Sequence, residues 1–298
     1  MTPTPGNDTM RPEMDLRGRP LDLRVPRVMG ILNLTPDSFF PGSRLSGIDA
    51  ARRRAQAMIE AGADLLDLGA MSSRPGSEPV PVEEEIARLV PALEAVRRDT
   101  ELPLSVDTYR PAVARAAVAA GADLLNDITG LRDSTELAAI AARDGLGLVV
   151  MHMRGTPRDM QRDTTYADVV GEVTGFLRDA VERACAAGVA RHRVIVDPGI
   201  GFGKSLDGNL ELMARLGELV ALDQPVLVGV SRKAFIGQLL DRTVEERLHG
   251  SVGAAVAAVM RGAHLVRAHD VRQTVEAVRV AARIRDAAGP LVADGAGP

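Results

Sequence analysis

The chain has 298 residues, 46% of them hydrophobic, enough for one large core and for a single domain of the size a (β/α)8 barrel needs. Its 36 basic and 40 acidic residues leave a net charge of −4 with neither sign gathered into a block, which argues against nucleic acid or a membrane surface as partner and favours small-molecule substrates. The lone Cys185 has no disulfide partner, and no apolar run approaches the roughly 18 residues of a membrane span, so a cytoplasmic protein is expected.

In chain order, residues 1–20 read as a flexible tail ahead of a barrel over 21–287, and the stretch 288–298, rich in Gly, Ala and Pro, as a second tail. Eight short apolar runs follow the first tail, at 28–33, 65–69, 104–107, 124–127, 148–152, 194–197, 226–231 and 265–270. Continuous runs of this length fit strands buried on both faces, the mark of a parallel sheet. Between them, stretches at 50–61, 83–97, 111–120, 136–142, 167–187, 210–220, 246–260 and 271–284 repeat apolar residues every three or four positions and predict amphipathic helices. Pro111 suits a first helical position, Ser134 suits a cap, and Gly121 and Gly188 follow helix ends. The phrase Ala61-Gly62-Ala63-Asp64 returns as Ala120-Gly121-Ala122-Asp123, each time leading from a helix into a strand. Strand and helix alternate throughout, which predicts an α/β fold, a (β/α)8 TIM barrel in a single domain with flexible termini. A doubly wound open sheet would gather its ligand residues at one switch point. Here candidates follow seven of the eight strands, and only a closed ring brings seven strand ends around one mouth.

Two biases single out particular residues. Only Lys204 and Lys233 among the 36 basic residues are lysines, and both follow predicted strands. Against so strong a preference for arginine, a surviving lysine marks a place where a compact ammonium is not replaceable by a planar fork. Asparagine is nearly as rare: Asn33 and Asn126 end strands, Asn209 follows Lys204, and Asn7 lies in the tail.

Asp107, Asn126, Asp197 and Lys233 end or follow the third, fourth, sixth and seventh strands and should point into one pocket. Two carboxylates and an amide there match a heterocycle that carries an amino group beside ring N–H donors, and Lys233 suits a ring carbonyl or nitrogen. Taken alone, Asp107 is as well suited to cap the helix that begins near Pro111. The segment from Asp197 to Ser205 lacks the glycine spacing of a Walker loop or a dinucleotide fingerprint, and reads as a tight turn that lets backbone approach a ligand. A second group, Asn33, Ser73, Arg74, Arg267 and His269, suits an anionic leaving group, a pyrophosphate, with Mg2+ as cofactor shared between the Asn33 amide oxygen and phosphate. The plainer alternative makes Arg267 and Asp270 a structural ion pair. The five histidines lack zinc spacing, His152 reads as a wall residue, and Ser231 lies in no nucleophile elbow.

From near Arg27 to near Ile284 the chain resembles dihydropteroate synthases. The resemblance is carried by Asn33-Leu34-Thr35-Pro36-Asp37-Ser38-Phe39, Ser73-Arg74-Pro75-Gly76, Ser105-Val106-Asp107-Thr108, Asn126-Asp127, Met151-His152, Asp197 to Lys204, Ser231-Arg232-Lys233 and Arg267-Ala268-His269-Asp270. It implies condensation of 6-hydroxymethyl-7,8-dihydropterin pyrophosphate with 4-aminobenzoate. It also implies a pterin set of Asp107, Asn126, Asp197 and Lys233, and Asn33 as Mg2+ ligand. Asn33, Ser73, Arg74, Arg267 and His269 are the implied pyrophosphate set, Phe39, Ser73, Pro75 and Lys233 the aminobenzoate set. Asp107, Lys233 and Arg74 are then the catalytic residues, and a homodimer through outer helices is the implied assembly. Three departures stand out: Met71 where the family carries a Glu, Ser73 where it carries a Thr, and Phe40-Pro41-Gly42-Ser43 in place of a glycine-rich turn. Ala268 also replaces a common Val. A corrinoid-linked pterin methyltransferase domain and a non-catalytic pterin-binding homologue are the competing readings.

Overall fold

The computed structural model describes residues 13–34, 44–71, 76–77 and 80–287, and it opens on a hairpin where the sequence predicts a loose tail. Strands β1 (Glu13–Leu16) and β2 (Arg19–Asp22) pair antiparallel across Arg17-Gly18. Both turn residues have positive φ, 56° and 82°, as a two-residue hairpin turn requires. The remainder of both expected tails, residues 1–12 and 288–298, lies outside the described residues.

Eight parallel strands follow: β3 (Arg27–Asn33), β4 (Leu65–Gly69), β5 (Leu104–Asp107), β6 (Leu124–Asp127), β7 (Gly147–Met151), β8 (Val194–Asp197), β9 (Leu227–Gly229) and β10 (Leu265–Ala268). Their order, β8-β7-β6-β5-β4-β3-β10-β9, is that of a barrel, and a parallel bridge between Val196 and Val226 closes the ring. The helices between them are α1 (Arg44–Glu60), α2 (Val82–Asp99), α3 (Pro111–Ala119), α4 (Glu136–Asp144), α5 (Val169–Ala186), α6 (Leu206–Ala214), α7 (Leu216–Val220), α8 (Ala234–Leu240), α9 (Leu248–Met260) and α10 (Val271–Ala287). The predicted helix over 210–220 is two helices broken at Arg215, and α8 follows Lys233, outside the helical stretches marked by periodicity.

Side chains alternate along a strand, so each strand divides its residues between lumen and helix layer. Met29, Leu65, Leu124, Val149, Ile195, Leu227 and Leu265 form the lowest layer of the lumen and pack with Met14, Leu16, Leu21 and Leu23 of the hairpin segment. Gly147 makes room for this plug, because a Cβ there would stand 2.6 Å from a Leu16 methyl. The N-terminal end of the barrel is thus filled with hydrocarbon. Two residues further along, the same alternation turns Ile31, Asp67, Asn126, Met151, Asp197, Gly229 and Arg267 into the lumen, with Asp107 two beyond Ser105.

The recurring Gly-Ala-Asp phrase locks neighbouring strands. Gly62 and Gly121 take the left-handed conformation after their helices, and Asp64 and Asp123 then accept the backbone N–H of Val28 and of Leu104. A third copy, Gly262-Ala263-His264, does the same with an imidazole: His264 Nδ1 accepts from Val226 N at 3.1 Å.

Candidate active site

The upper lumen is polar because the strands end on polar residues, and each buried charge there has found a partner. Arg267 on β10 is the hub: its Nε donates to Asp67 at 2.6 Å and its Nη2 to Asp107 at 3.0 Å. Asn126 donates its amide to the same Asp67 oxygen at 3.2 Å, so Oδ1 is the atom it offers a ligand. Gly69 and Gly229 leave the space beside these groups, since a Cβ on Gly69 would touch Asp107 and one on Gly229 would reach Arg267. Glycines at those two lumen positions keep a cavity open among large polar side chains.

On the opposite wall, Asp197 accepts from Gly199 N at 2.7 Å. Lys233 Nζ lies 3.9 Å from the centre of the Phe202 ring, a cation–π contact. Gly201 takes φ 83°, a conformation that favours glycine, and a Cβ there would stand 3.1 Å from the Lys233 stem. Asp107, Asp197, Lys233 and Arg267 stand close enough in the lumen for their charges to act on one another, Asn126 joins them through Asp67, and Asp107 is not a helix cap. The helix that begins at Pro111 has Arg110 at its N-cap and no side-chain cap; just ahead of it the Thr108 hydroxyl accepts from Arg110 N and donates to the fully buried Glu85.

Burial dominates the electrostatics. It pushes the Asp107 carboxyl up to about 7, against the opposing charges of Arg267 and Lys233 and with Asp67 and Glu85 adding to the rise. Asp197 is raised for the same reason, and the N–H of Gly199 opposes the rise. Lys233 is pulled down to about 8 by burial and then by Arg267. Such a pocket favours a ligand whose N–H groups repay the carboxylates for lost water.

His269 follows β10 and stands with Ser231, whose Oγ accepts the His269 backbone N–H at 3.1 Å and lies 3.0 Å from Nδ1. The Ser231 hydroxyl and Nδ1 share one hydrogen bond, whose donor is set by the imidazole tautomer. Burial and the neighbouring Arg267 lower the imidazole to about 3, so His269 is a neutral N–H donor at pH 7 rather than the cation its place in the second group implies. Asp270 belongs to Arg232, which grips it with both Nε and Nη2 at 2.9 and 2.8 Å; the structural pair of Arg267 with Asp270 does not form. Asn33 ends β3 at a partly buried lumen position. Phe39, Ser73, Arg74 and Pro75 lie outside the described residues. Met71, at the edge of that second loop, receives the Tyr109 hydroxyl at 3.9 Å from its sulfur.

Sequence reading passes over Asp67. Its signal is a single charge inside the run 65–69, and a charge buried on both faces of a sheet needs a partner elsewhere in the lumen. His152 is buried, as a wall residue should be, but it is also a partner of Lys204.

A family profile described as pterin binding enzyme matches residues 29–269. The dihydropteroate synthase of Escherichia coli (strain K12) is 47% identical over 264 residues, 89% of this chain and 93% of that protein. Among solved structures, the Xanthomonas albilineans dihydropteroate synthase with 4-aminobenzoic acid superposes with a TM-score of 0.86 at 46% identity, covering 92% of this chain and 98% of that one. The same enzyme in complex with 7,8-dihydropteroate gives 0.82 at 44% identity, covering 92% and 99%. With that similarity running through every strand that supplies the cavity, the chain belongs to the dihydropteroate synthase family of pterin-binding enzymes.

Proposed function

We propose that the chain condenses 6-hydroxymethyl-7,8-dihydropterin pyrophosphate with 4-aminobenzoate, releasing pyrophosphate and 7,8-dihydropteroate, and that the lumen cavity is where it does so. The observation that carries this is the row Asp107, Asn126, Asp197 and Lys233 within one enclosed lumen, acceptors and one ammonium facing a space kept open by glycines. A pterin presents an amino group and ring N–H donors along one edge and a carbonyl beside them, which matches that row donor for acceptor.

The carbon–oxygen bond to pyrophosphate breaks and the aminobenzoate nitrogen bonds to the freed methylene carbon, losing a proton. As pyrophosphate leaves, positive charge grows on the pterin, and the Asp107 and Asp197 carboxylates are already placed to stabilise it. Arg267 uses Nε and Nη2 on Asp67 and Asp107, leaving Nη1 for a phosphate oxygen. His269, in the tautomer with its proton on Nε2, offers that N–H to the same anion. No covalent bond to the protein is required. By the resemblance, Arg74 and Ser73 are assigned to the anion and Phe39, Pro75 and Lys233 to the aminobenzoate.

Among the described residues no group of three or more His, Cys, Asp or Glu side chains forms a metal cage. A lone amide oxygen at Asn33 fits Mg2+ held mainly by substrate oxygens and water, the usual habit of that ion beside phosphates. When bound, it would neutralise charge on the departing pyrophosphate.

We also propose a homodimer through α9 and α10. Helix α9 carries no Asp, Glu, Lys or Arg, and an apolar cleft between the two helices is lined by Val256, Met260, Ala277, Val280 and Ile284. Val280 and Ile284 are 61% and 58% exposed, and a second copy of the same face covers both at once. No helix among the described residues is long and apolar enough to cross a membrane.

Purified protein incubated with the pterin pyrophosphate, 4-aminobenzoate and Mg2+ should release pyrophosphate and dihydropteroate in equal amounts. Tight pterin binding with neither product would instead identify a non-catalytic homologue.

A further inference from the structure

Of the two lysines in the chain, the proposed reaction uses Lys233 and leaves Lys204 unexplained. Lys204 is 3% exposed, and its amino group sits inside the protein, where burial pulls it down to about 7 against the attraction of Asp197. Nζ lies 2.9 Å from His152 Nδ1, 2.9 Å from the Phe202 carbonyl, 3.0 Å from the Gly199 carbonyl and 3.3 Å from the His152 carbonyl. Three N–H donors meet three near acceptors, with the fourth sharing. His152 is held neutral, lowered to about 2 by burial and by the Lys204 charge, so Nδ1 serves as an acceptor.

These acceptors come from two different strand ends. His152 follows β7, whereas Gly199 and Phe202 lie in the turn after β8. That turn carries Gly199, Gly201 and Gly203 at φ of 66°, 83° and 63°, a left-handed path that lets its carbonyls converge on one point. An ammonium satisfies converging carbonyls as a bound cation would, whereas a guanidinium spreads its donors over a plane and cannot. This accounts for a lysine here in a chain that otherwise uses arginine. The turn begins at Asp197, tied to it by the Gly199 N–H, and carries the Phe202 ring that backs Lys233.

We propose that Lys204 is a positioning residue for pterin recognition: its buried ammonium draws the Gly199 and Phe202 carbonyls onto His152 and so fixes Asp197 and Phe202 against Lys233. This rests on the lumen cavity being the pterin site. The turn has other anchors that let it fold without Lys204. Asn209 accepts from Gly201 N at 2.6 Å and donates to Ser205 O at 2.7 Å, and the Tyr166 hydroxyl donates to Gly203 O at 2.8 Å.

The test compares wild type, Lys204→Met and Lys204→Arg by calorimetric titration with the pterin pyrophosphate, and by steady-state kinetics at saturating pterin for aminobenzoate. Folding is checked by circular dichroism. In folded Lys204→Met the dissociation constant for the pterin should rise about tenfold or more, the worth of a charged hydrogen-bond hub, while the KM for aminobenzoate, which shares only Lys233 with that wall, rises by a clearly smaller factor. Lys204→Arg should not restore pterin affinity. If Lys204→Met does not fold, Lys204→Gln, which keeps two N–H donors, is held to the same criterion. Unchanged pterin affinity in a folded variant, or equal losses for both substrates, overturns the proposal. Failure of the wild type to bind the pterin at all overturns the assignment of the cavity instead, and the proposal with it.

Discussion

Arg267 shows how much of the site depends on one side chain. Its fork neutralises Asp67 and Asp107 at once, so Arg267→Ala would leave two buried carboxylates sharing one space. Removing one partner from a buried ion pair costs roughly 3–5 kcal/mol. Urea unfolding of Arg267→Ala should show a loss of that order, and pterin affinity should fall whether or not the ligand carries its pyrophosphate. Unaltered affinity for the unphosphorylated pterin would confine Arg267 to the anion alone. The lumen positions of Asp107, Asn126 and Asp197, the residues proposed to read a pterin, were legible in the sequence because all three end apolar runs, where a barrel turns side chains toward its mouth. The partnership of Arg267 with Asp67 was not. It joins β10 to β4 across 200 positions, and only closure of the ring brings them together. The neutrality of His269 was hidden for a similar reason, since it follows from burial beside Arg267.

Among elements, the hairpin of β1 and β2 is the clearest departure from expectation. Its apolar positions, Met14, Leu16 and Leu21, alternate within a stretch crowded with charge, and eight residues of period two are too few to stand out beside long helices. Their meaning appears only when the barrel floor is known to need a plug. Leu16 is fully buried against that floor, so Leu16→Ala should destabilise the fold by about 2–5 kcal/mol in chemical denaturation and leave pterin affinity untouched. Weakened pterin binding at full stability would mean that the hairpin acts on the site rather than on the floor. The repeated Gly-Ala-Asp phrase, by contrast, was visible as an echo. Its physical purpose needed the structure, as did its third copy, in which His264 stands for the aspartate. The break between α6 and α7 at Arg215 had no sequence signal, for the segment keeps helical periodicity through it.

For the molecule as a whole, the alternation of strand and helix foretold the closed ring, and the polar strand ends foretold which end of the lumen would hold the buried charges. The proposed pairing of two copies rests on the α9 and α10 face. Sedimentation should give a dimer for the wild type and a monomer for Val280→Asp, which sets a carboxylate in the apolar cleft. A wild-type monomer at micromolar concentration would contradict the pairing. The deepest claim is that a substrate heterocycle is read by buried carboxylates within the lumen, with Asp107 at their centre. Calorimetric titration of the pterin pyrophosphate into Asp107→Asn tests it most directly. The replacement keeps the shape and removes the charge. Affinity should fall by about 30-fold or more, roughly 2 kcal/mol, with an unchanged circular dichroism spectrum. Wild-type affinity in the folded variant would contradict the pocket assigned here.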